Sequence, residues 1–217
     1  RSKAQATAIA CRNNLAQIAE AMAIYTADFG KYPGTRSSPI APPNFASPDW
    51  QQIWDHRLSP YVLDSRKVFL CPADMMPPCF PPFPSTNTVL TNYTYGYNAY
   101  GTGVQSPVSN LGLGRPEFPE TDLSKSLLLV SESQVVAPDD MIAVGDLTDI
   151  PSVFDTTIKP NNPPPYAGDP AARHNGGANM VFCDSHTEYG KQKEWIKESD
   201  TARRRWNNDH QPHPETW

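Results

Sequence analysis

The most regular hydrophobic pattern in the chain runs from residue 4 to residue 29. Small or apolar side chains recur there in alternating steps of four and three: Ala4, Ala8, Cys11, Leu15, Ile18, Met22, Tyr25 and Phe29. This spacing forms a stripe along one side of an α-helix. Gly30 and Pro33 follow as a stop signal, so the pattern predicts a helix that ends at residue 29. Such a helix is about 40 Å long, which is more than one small sheet can cover.

The remaining pattern predicts short elements separated by long loops. A short helix is predicted at residues 49–58, after the capping pair Ser47-Pro48. Alternating or short apolar runs predict strands at 93–97, 127–131, 141–145 and 179–183, and 187–189 is the hairpin partner of the last. Helical turns are predicted at 194–197 and 200–205. One long helix followed by short antiparallel strands indicates the α+β class.

Composition limits the number of domains and the classes of binding partner. A chain of 217 residues suits one domain, with 1–30 as the N-terminal helix and 31–217 as the globular head. The 24 prolines are about twice the usual share and predict long loops. A net charge of −5 without a basic stripe argues against a nucleic-acid partner. No apolar run in the sequence reaches the length of a transmembrane helix.

The four cysteines lack the local spacing of a zinc site. They are Cys11, Cys71, Cys79 and Cys183. An even number in a loop-rich chain is compatible with disulfides and with an exported protein, and four buried free thiols are an equal alternative. The sequence alone leaves three possible pairings open.

A motif near the C-terminus is the most specific signal in the chain. It spans residues 173–179 and 182–186, and its marked positions are His174, Asn175, Gly176, Gly177 and Asp184. Nine residues separate His174 from Asp184, and Ser185 follows. This resembles the prepilin-like family whose C-terminal signature is a His, nine residues, and then Asp-Gly. Ser185 occupies the usual position of the glycine, where a turn can require positive φ.

Five further segments resemble the same family and appear in the same order along the chain. They are residues 11–15, 69–72, 95–98, 143–146 and 205–210. The resemblance implies a type IV pilin-like protein, similar to the major pseudopilin of type II secretion. The implied fold is a long N-terminal helix packed by its C-terminal half on a small antiparallel β-sheet, with long proline-rich loops.

The resemblance also implies a function and a location. Such proteins carry a leader that a prepilin peptidase removes, and an apolar helix half that anchors them in the inner membrane and later packs in a filament core. The implied role is a non-catalytic structural subunit. Its partners are homologous subunits and the secretion or pilus machinery. Its head is periplasmic, or it lies in a cell-surface filament.

The cysteine pairing expected under this resemblance joins Cys11 to Cys71. Cys11 lies on the helical stripe, and Cys71 closes an apolar segment that is expected to pack there. Both cysteines also fall in segments that resemble the family. Cys79 with Cys183 is the second expected pair.

No cofactor is expected from the sequence. Major pseudopilins as a family have a calcium site in a C-terminal loop, but one carboxylate and two imidazoles are a poor calcium set. Asp146 and Asp184 remain the candidates for a metal ligand. The favoured interpretation is that His174 and Asp184 stabilise the hairpin through hydrogen bonds to the backbone.

Two other function classes are weighed against the filament subunit. Ser133, Ser185 and Cys183 occur in no nucleophile pattern, so no enzyme is expected. An extracytoplasmic carbohydrate- or protein-binding module is the alternative, because Tyr93, Tyr95 and Tyr97 alternate. That alternative predicts a line of aromatic rings in a solvent-facing groove.

Overall fold

The computed structural model describes residues 2–34, 54–62, 66–73, 94–103, 111–114, 130–148, 158 and 168–216. Its described helices are α1 (Ser2–Phe29), α2 (Trp54–Leu58), α3 (Gln192–Trp195) and α4 (Asp200–Arg204). Its described strands are β1 (Tyr95–Tyr97), β2 (Ile142–Asp146), β3 (Gly177–Phe182) and β4 (Thr187–Lys191). The strands form one antiparallel sheet in the order β1-β2-β3-β4. The predicted α+β class is therefore confirmed.

Helix α1 buries the central part of the predicted stripe. Five stripe residues are buried against the rest of the domain: Cys11, Leu15, Ile18, Met22 and Tyr25. The prediction was wrong at Phe29, which is 61% exposed, whereas the exposed Ala4 lies outside the C-terminal half that was expected to pack. The helix ends as predicted, since Gly30 has a φ of 67° and its N–H donates to the Thr26 carbonyl at 2.7 Å.

Most described side chains at the start of α1 are exposed, and Thr7 and Ala8 are half-buried. Ala4, Gln5, Ala6 and Ala10 are exposed, and Ile9 is 62% exposed. The first buried residue of the described helix is Cys11. The packing of the helix by its C-terminal half, which the resemblance implied, is therefore present.

The sheet is covered on both faces. Side chains on the face toward α1 include Tyr95, Tyr97 and Val181, which join the stripe residues in one apolar cluster. The alternate positions of β3 point to the opposite face. There a second cluster contains Ala178, Met180, Phe182, Leu147, Ile158, Trp195 and Trp206. Because side chains alternate along a strand, β3 contributes to both clusters.

Most predicted elements are present with small shifts. Strand β2 begins one residue later than predicted, β3 begins two residues earlier, and β4 is longer. Of the predicted helix 49–58, the described part forms α2, and residues 49–53 lie outside the described ranges. The predicted strand 127–131 is described only at Val130 and Ser131, where Ser131 forms an isolated bridge with Lys31. The Tyr32 N–H donates to the Val130 carbonyl at 2.9 Å as part of this bridge, and the bridge lies outside the four-stranded sheet.

A buried asparagine connects the first strands to the C-terminal segment. The Nδ2 atom of Asn98 donates to the carbonyls of Ile142 at 2.7 Å and Trp206 at 2.8 Å. Its Oδ1 atom accepts from the Gly101 N–H at 2.9 Å. The residue is fully buried, so these groups have no access to water. Asn98 therefore fixes the C-terminal segment against the sheet.

We expect Asn98→Ala to lower the free energy of unfolding by about 3 kcal/mol, because buried backbone groups lose their partner. Urea denaturation gives the measurement. The matched control is Asn13→Ala, since Asn13 is exposed on α1 and alanine is a better helix former there. The control is expected to change stability by less than about 0.5 kcal/mol. Equal effects of the two substitutions would contradict the role assigned to Asn98.

Candidate functional site

Four buried side chains from separate segments meet beneath α1. They are Cys11 from α1, Cys71 from the segment before β1, Asp146 at the end of β2, and His174 from the turn before β3. Their ligand-type atoms all lie within 4.8 Å of one another. Each residue is at most 5% exposed. We call these four residues the buried cluster.

Cys71 is held in place by hydrogen bonds on both sides. Its N–H donates to Thr94 Oγ1 at 2.6 Å, next to the start of β1. Asn14 of α1 donates from Nδ2 to the Leu70 carbonyl at 2.9 Å. The short apolar segment 68–71 is thereby attached to both α1 and β1, and its cysteine reaches the helix.

Asp146 is fixed by β3 across the sheet. Its Oδ2 atom accepts from the backbone N–H of Asn179 at 2.7 Å and from Asn179 Nδ2 at 2.9 Å. Its other oxygen, Oδ1, lies 3.0 Å from Cys11 Sγ. The two amide donors compensate part of the cost of burying the carboxylate.

His174 is presented by a tight turn. Its backbone N–H donates to the Gly177 carbonyl at 3.1 Å, and the Gly177 N–H donates back at 3.2 Å. Asn175 and Gly176 adopt positive φ values of 54° and 78°. Tyr189 of β4 closes the turn by donating to the His174 carbonyl at 2.8 Å. This turn explains the use of Asn-Gly-Gly after the histidine.

One ring nitrogen of His174 faces all three other members of the cluster. The Nε2 atom lies 3.1 Å from Cys11 Sγ, 3.4 Å from Cys71 Sγ and 3.4 Å from Asp146 Oδ2. Tyr95 adds its hydroxyl at 3.1 Å from Cys11 Sγ. A single N–H points in one direction and serves one of these neighbours well.

The surroundings of the two thiols in the cluster shift their pKa values in opposite directions. Hydrogen bonds from Cys11 and then from His174 lower the pKa of Cys71 to about 5, against the opposing effect of burial. The hydrogen bond to Cys71 and burial raise the pKa of Cys11. Burial lowers the pKa of His174, but hydrogen bonds to Asp146 and Cys71 outweigh it and raise the pKa to about 9. The two shifts therefore run in opposite directions, and they favour a thiolate at Cys71 over one at Cys11.

The arrangement differs from a catalytic triad. In a triad the carboxylate and the nucleophile contact different ring nitrogens of the histidine. Here Cys71 and Asp146 both contact Nε2 of His174. Neither thiol is open to a substrate, because Cys11 and Cys71 are both buried.

The structure separates the two ends of the C-terminal motif. The His174 side chain joins the buried cluster, whereas Asp184 lies in the exposed hairpin turn. There Asp184 Oδ1 accepts from the His186 N–H at 3.1 Å and contacts His186 Nδ1 at 2.6 Å. Ser185 has a φ of 77°, so the position does adopt the conformation that favours glycine. Both side chains were expected to stabilise the hairpin through hydrogen bonds to the backbone. The Asp184 side chain makes such a bond, whereas in His174 only the main chain does.

The candidate metal ligands and the candidate disulfide residues are each found partly inside and partly outside the buried cluster. Asp146 belongs to the buried cluster, and Asp184 does not. Cys11 and Cys71 lie together as free thiols, so their pairing stays a prediction. Cys183 is a free, half-buried thiol, and Cys79 lies outside the described residues.

Sequence reasoning missed the cluster because its members are far apart in the chain. A search for closely spaced ligands finds no pair among Cys11, Cys71, Asp146 and His174. One signal was present, since each of the four lies in a segment that carries the family resemblance. Tyr95 and Asn179, which contact the cluster, lie in such segments too.

Comparisons with known proteins add no relative. No family model matches this chain, and neither a curated protein nor a solved structure matches it. Among the described helices, none combines the length and the apolar character needed to cross a membrane.

The two glycines of the turn after His174 are expected to respond differently to alanine. A Cβ on Gly177 would lie 2.2 Å from the Gly190 carbonyl oxygen, so Gly177→Ala forces β3 and β4 apart. A Cβ on Gly176 meets only Lys191 Nζ at 3.9 Å, and strain from positive φ remains.

We expect Gly177→Ala to cost about 3 kcal/mol of stability and Gly176→Ala about 1 kcal/mol. Urea denaturation of both variants under one set of conditions measures the difference. A larger effect at Gly176 than at Gly177 would show that the close approach of the two strands does not limit the side chain at Gly177.

Proposed function

We propose that this chain is a non-catalytic structural subunit of a filament of the type IV pilus or type II secretion pseudopilus kind. The observation that carries the proposal is the division of α1 at Cys11. Residues 4–10 are exposed or half-buried, whereas the stripe residues from Cys11 to Tyr25 are buried against the rest of the domain. A helix of about 40 Å whose start is largely exposed suits assembly through that start.

The exposed part of α1 has the surface that helix packing requires. Ala4, Ala6 and Ala10 are small, so a neighbouring helix can approach closely. Ile9 adds a large apolar side chain that is 62% exposed. In the family that the chain resembles, this region of the helix leads to the filament core.

The positions that carry the resemblance support the same proposal. The segments 11–15, 69–72, 95–98, 143–146 and 173–179 each supply a residue that belongs to the buried cluster or contacts Cys11. Residues 205–210 include Trp206, which is fixed by Asn98. Segments that lie far apart in the sequence thus contribute to the same structural features, the buried cluster and the attachment of the C-terminal segment.

The partners and the location follow from the proposal. The chain associates with homologous pilin or pseudopilin subunits and with the secretion or pilus machinery. An apolar helix half preceding Arg1 anchors it in the inner membrane, with the head in the periplasm or in a surface filament. The buried cluster does not suit calcium, because calcium takes oxygen ligands and two of the four cluster residues are cysteines.

A binding module that uses surface aromatics receives less support. Tyr95, Tyr97 and Tyr100 are buried, and Tyr93 lies outside the described residues. Tyr95 and Tyr97 contribute to the apolar cluster beneath α1. Their alternation is therefore explained by packing.

The test is filament incorporation of Ile9→Lys in the native cell, with the complete gene expressed. We expect this variant to disappear from sheared filaments, because a charge replaces an apolar contact between helices. Its stability is expected to match that of the unmodified protein, since Ile9 is 62% exposed. Immunoblots of the filament and membrane fractions measure the outcome.

The matched control is Val136→Lys, which introduces the same charge at a residue that is 69% exposed and lies outside α1. We expect it to enter filaments normally. Normal incorporation of Ile9→Lys, or absence of the unmodified protein from every filament fraction, would refute the proposed function. The coding sequence upstream of Arg1 provides a separate check: we expect a leader that ends in Gly, followed by about twenty apolar residues.

A further inference from the structure

We propose that the buried cluster binds one zinc ion through Cys11, Cys71, Asp146 and His174, as a closed structural site. The ligands come from α1, the segment before β1, the end of β2 and the turn before β3. The inference does not depend on the proposed filament role.

The donor set is the one that zinc prefers. Thiolate, imidazole and carboxylate are its protein ligands, and four of them complete a structural site. Calcium and magnesium take oxygen ligands, so two sulfur atoms argue against both. Because the four residues are at most 5% exposed, no open position is left for a substrate.

The distances fit a small tetrahedral site. Zinc bonds of about 2.3 Å to sulfur and about 2.0 Å to nitrogen or oxygen place neighbouring ligand atoms about 3.3–3.8 Å apart. Cys11 Sγ lies 3.1 Å from His174 Nε2 and 3.0 Å from Asp146 Oδ1. Cys71 Sγ lies 3.4 Å from the same Nε2 atom. Shifts of a few tenths of an ångström bring these three contacts to the expected spacing, and all four ligand atoms lie within 4.8 Å of one another.

The single proton on the facing nitrogen of His174 cannot serve all of its neighbours in the cluster. The Nε2 atom of His174 faces two sulfurs and one carboxylate, and its single proton serves one of them. A cation at the centre interacts with all four groups at once. Zinc binds deprotonated ligand atoms, so any proton on the two sulfurs or on Nε2 leaves to solvent as the ion takes its place.

The surroundings already orient the ligands. Asn179 holds Asp146 through Oδ2, which leaves Oδ1 directed at Cys11. The Tyr95 hydroxyl contacts Cys11 Sγ at 3.1 Å. Such outer hydrogen bonds to ligands are a regular part of metal sites. Neither partner is needed for a disulfide.

A disulfide between Cys11 and Cys71 is the competing state. A disulfide would bond the two sulfur atoms to each other, and it would give no reason for the burial of His174 and Asp146 beside them. The two states are exclusive, because a bonded sulfur is no longer a thiolate ligand. The experiment therefore includes both.

The main experiment measures zinc in the chain purified with a thiol reductant and dialysed against zinc. Elemental analysis is expected to find one zinc ion per chain, removable by a strong chelator with a fall in Tm. Cys71→Ser and His174→Ala are expected to lose the ion. The matched control Cys183→Ser is expected to retain it, because Cys183 lies outside the cluster.

A second measurement does not require ligand variants to fold. Cobalt(II) in the unmodified chain is expected to show intense visible bands of a tetrahedral thiolate site, and X-ray absorption of the zinc form is expected to show two sulfurs among four ligands. Tyr95→Phe and Asn179→Ala keep all four ligands and are expected to weaken zinc binding about 10–100-fold.

Three results would overturn the inference. One is less than a tenth of an equivalent of zinc in the reduced, folded chain. Another is unchanged zinc binding when Cys71 or His174 is replaced. The third is a Cys11–Cys71 disulfide, seen by mass spectrometry of protein isolated without reductant, that persists when zinc and a mild reductant are supplied together.

Discussion

The fold depends on the burial of one carboxylate. Asp146 has no exposed surface, and an uncompensated charge there would cost several kcal/mol. Its compensation requires Asn179 from β3, Cys11 from α1 and His174 from the preceding turn. These groups reach Asp146 only when the helix, the sheet and the turn are packed together. The position of α1 along the sheet is therefore set by polar contacts as well as by apolar packing.

Apolar packing acts on both sides of this polar centre. The stripe of α1 covers one face of the sheet, and Trp195 and Trp206 cover the other. Asn98 connects the two faces, because it binds the carbonyl of Ile142 in β2 and that of Trp206 in the C-terminal segment. In the described part of the chain, both faces of the central strands are thus covered, and the exposed start of α1 extends beyond this packed part.

The sequence predicted what depends on local pattern. The helix up to residue 29 and strands β2, β3 and β4 follow from the period of apolar side chains. Phe29 was assigned to the core because periodicity ignores where the domain surface ends. The cluster was missed because its members meet only through tertiary packing. The motif linked His174 with Asp184 by spacing, yet the side chains serve different sites, since β3 carries the chain away from the first to the second.

The cluster and the exposed part of α1 are connected through one continuous helix. Cys11 is both the first buried residue of the described helix and a member of the cluster. A load on the exposed start of α1 is therefore passed to the domain through the buried residues that begin with Cys11. Apolar contacts are non-directional and resist sliding weakly, whereas bonds to a metal or hydrogen bonds to a buried carboxylate are directional. For the proposed filament subunit, a polar or metal-bound anchor at Cys11 fixes the register of α1 where apolar packing alone would allow it to slip.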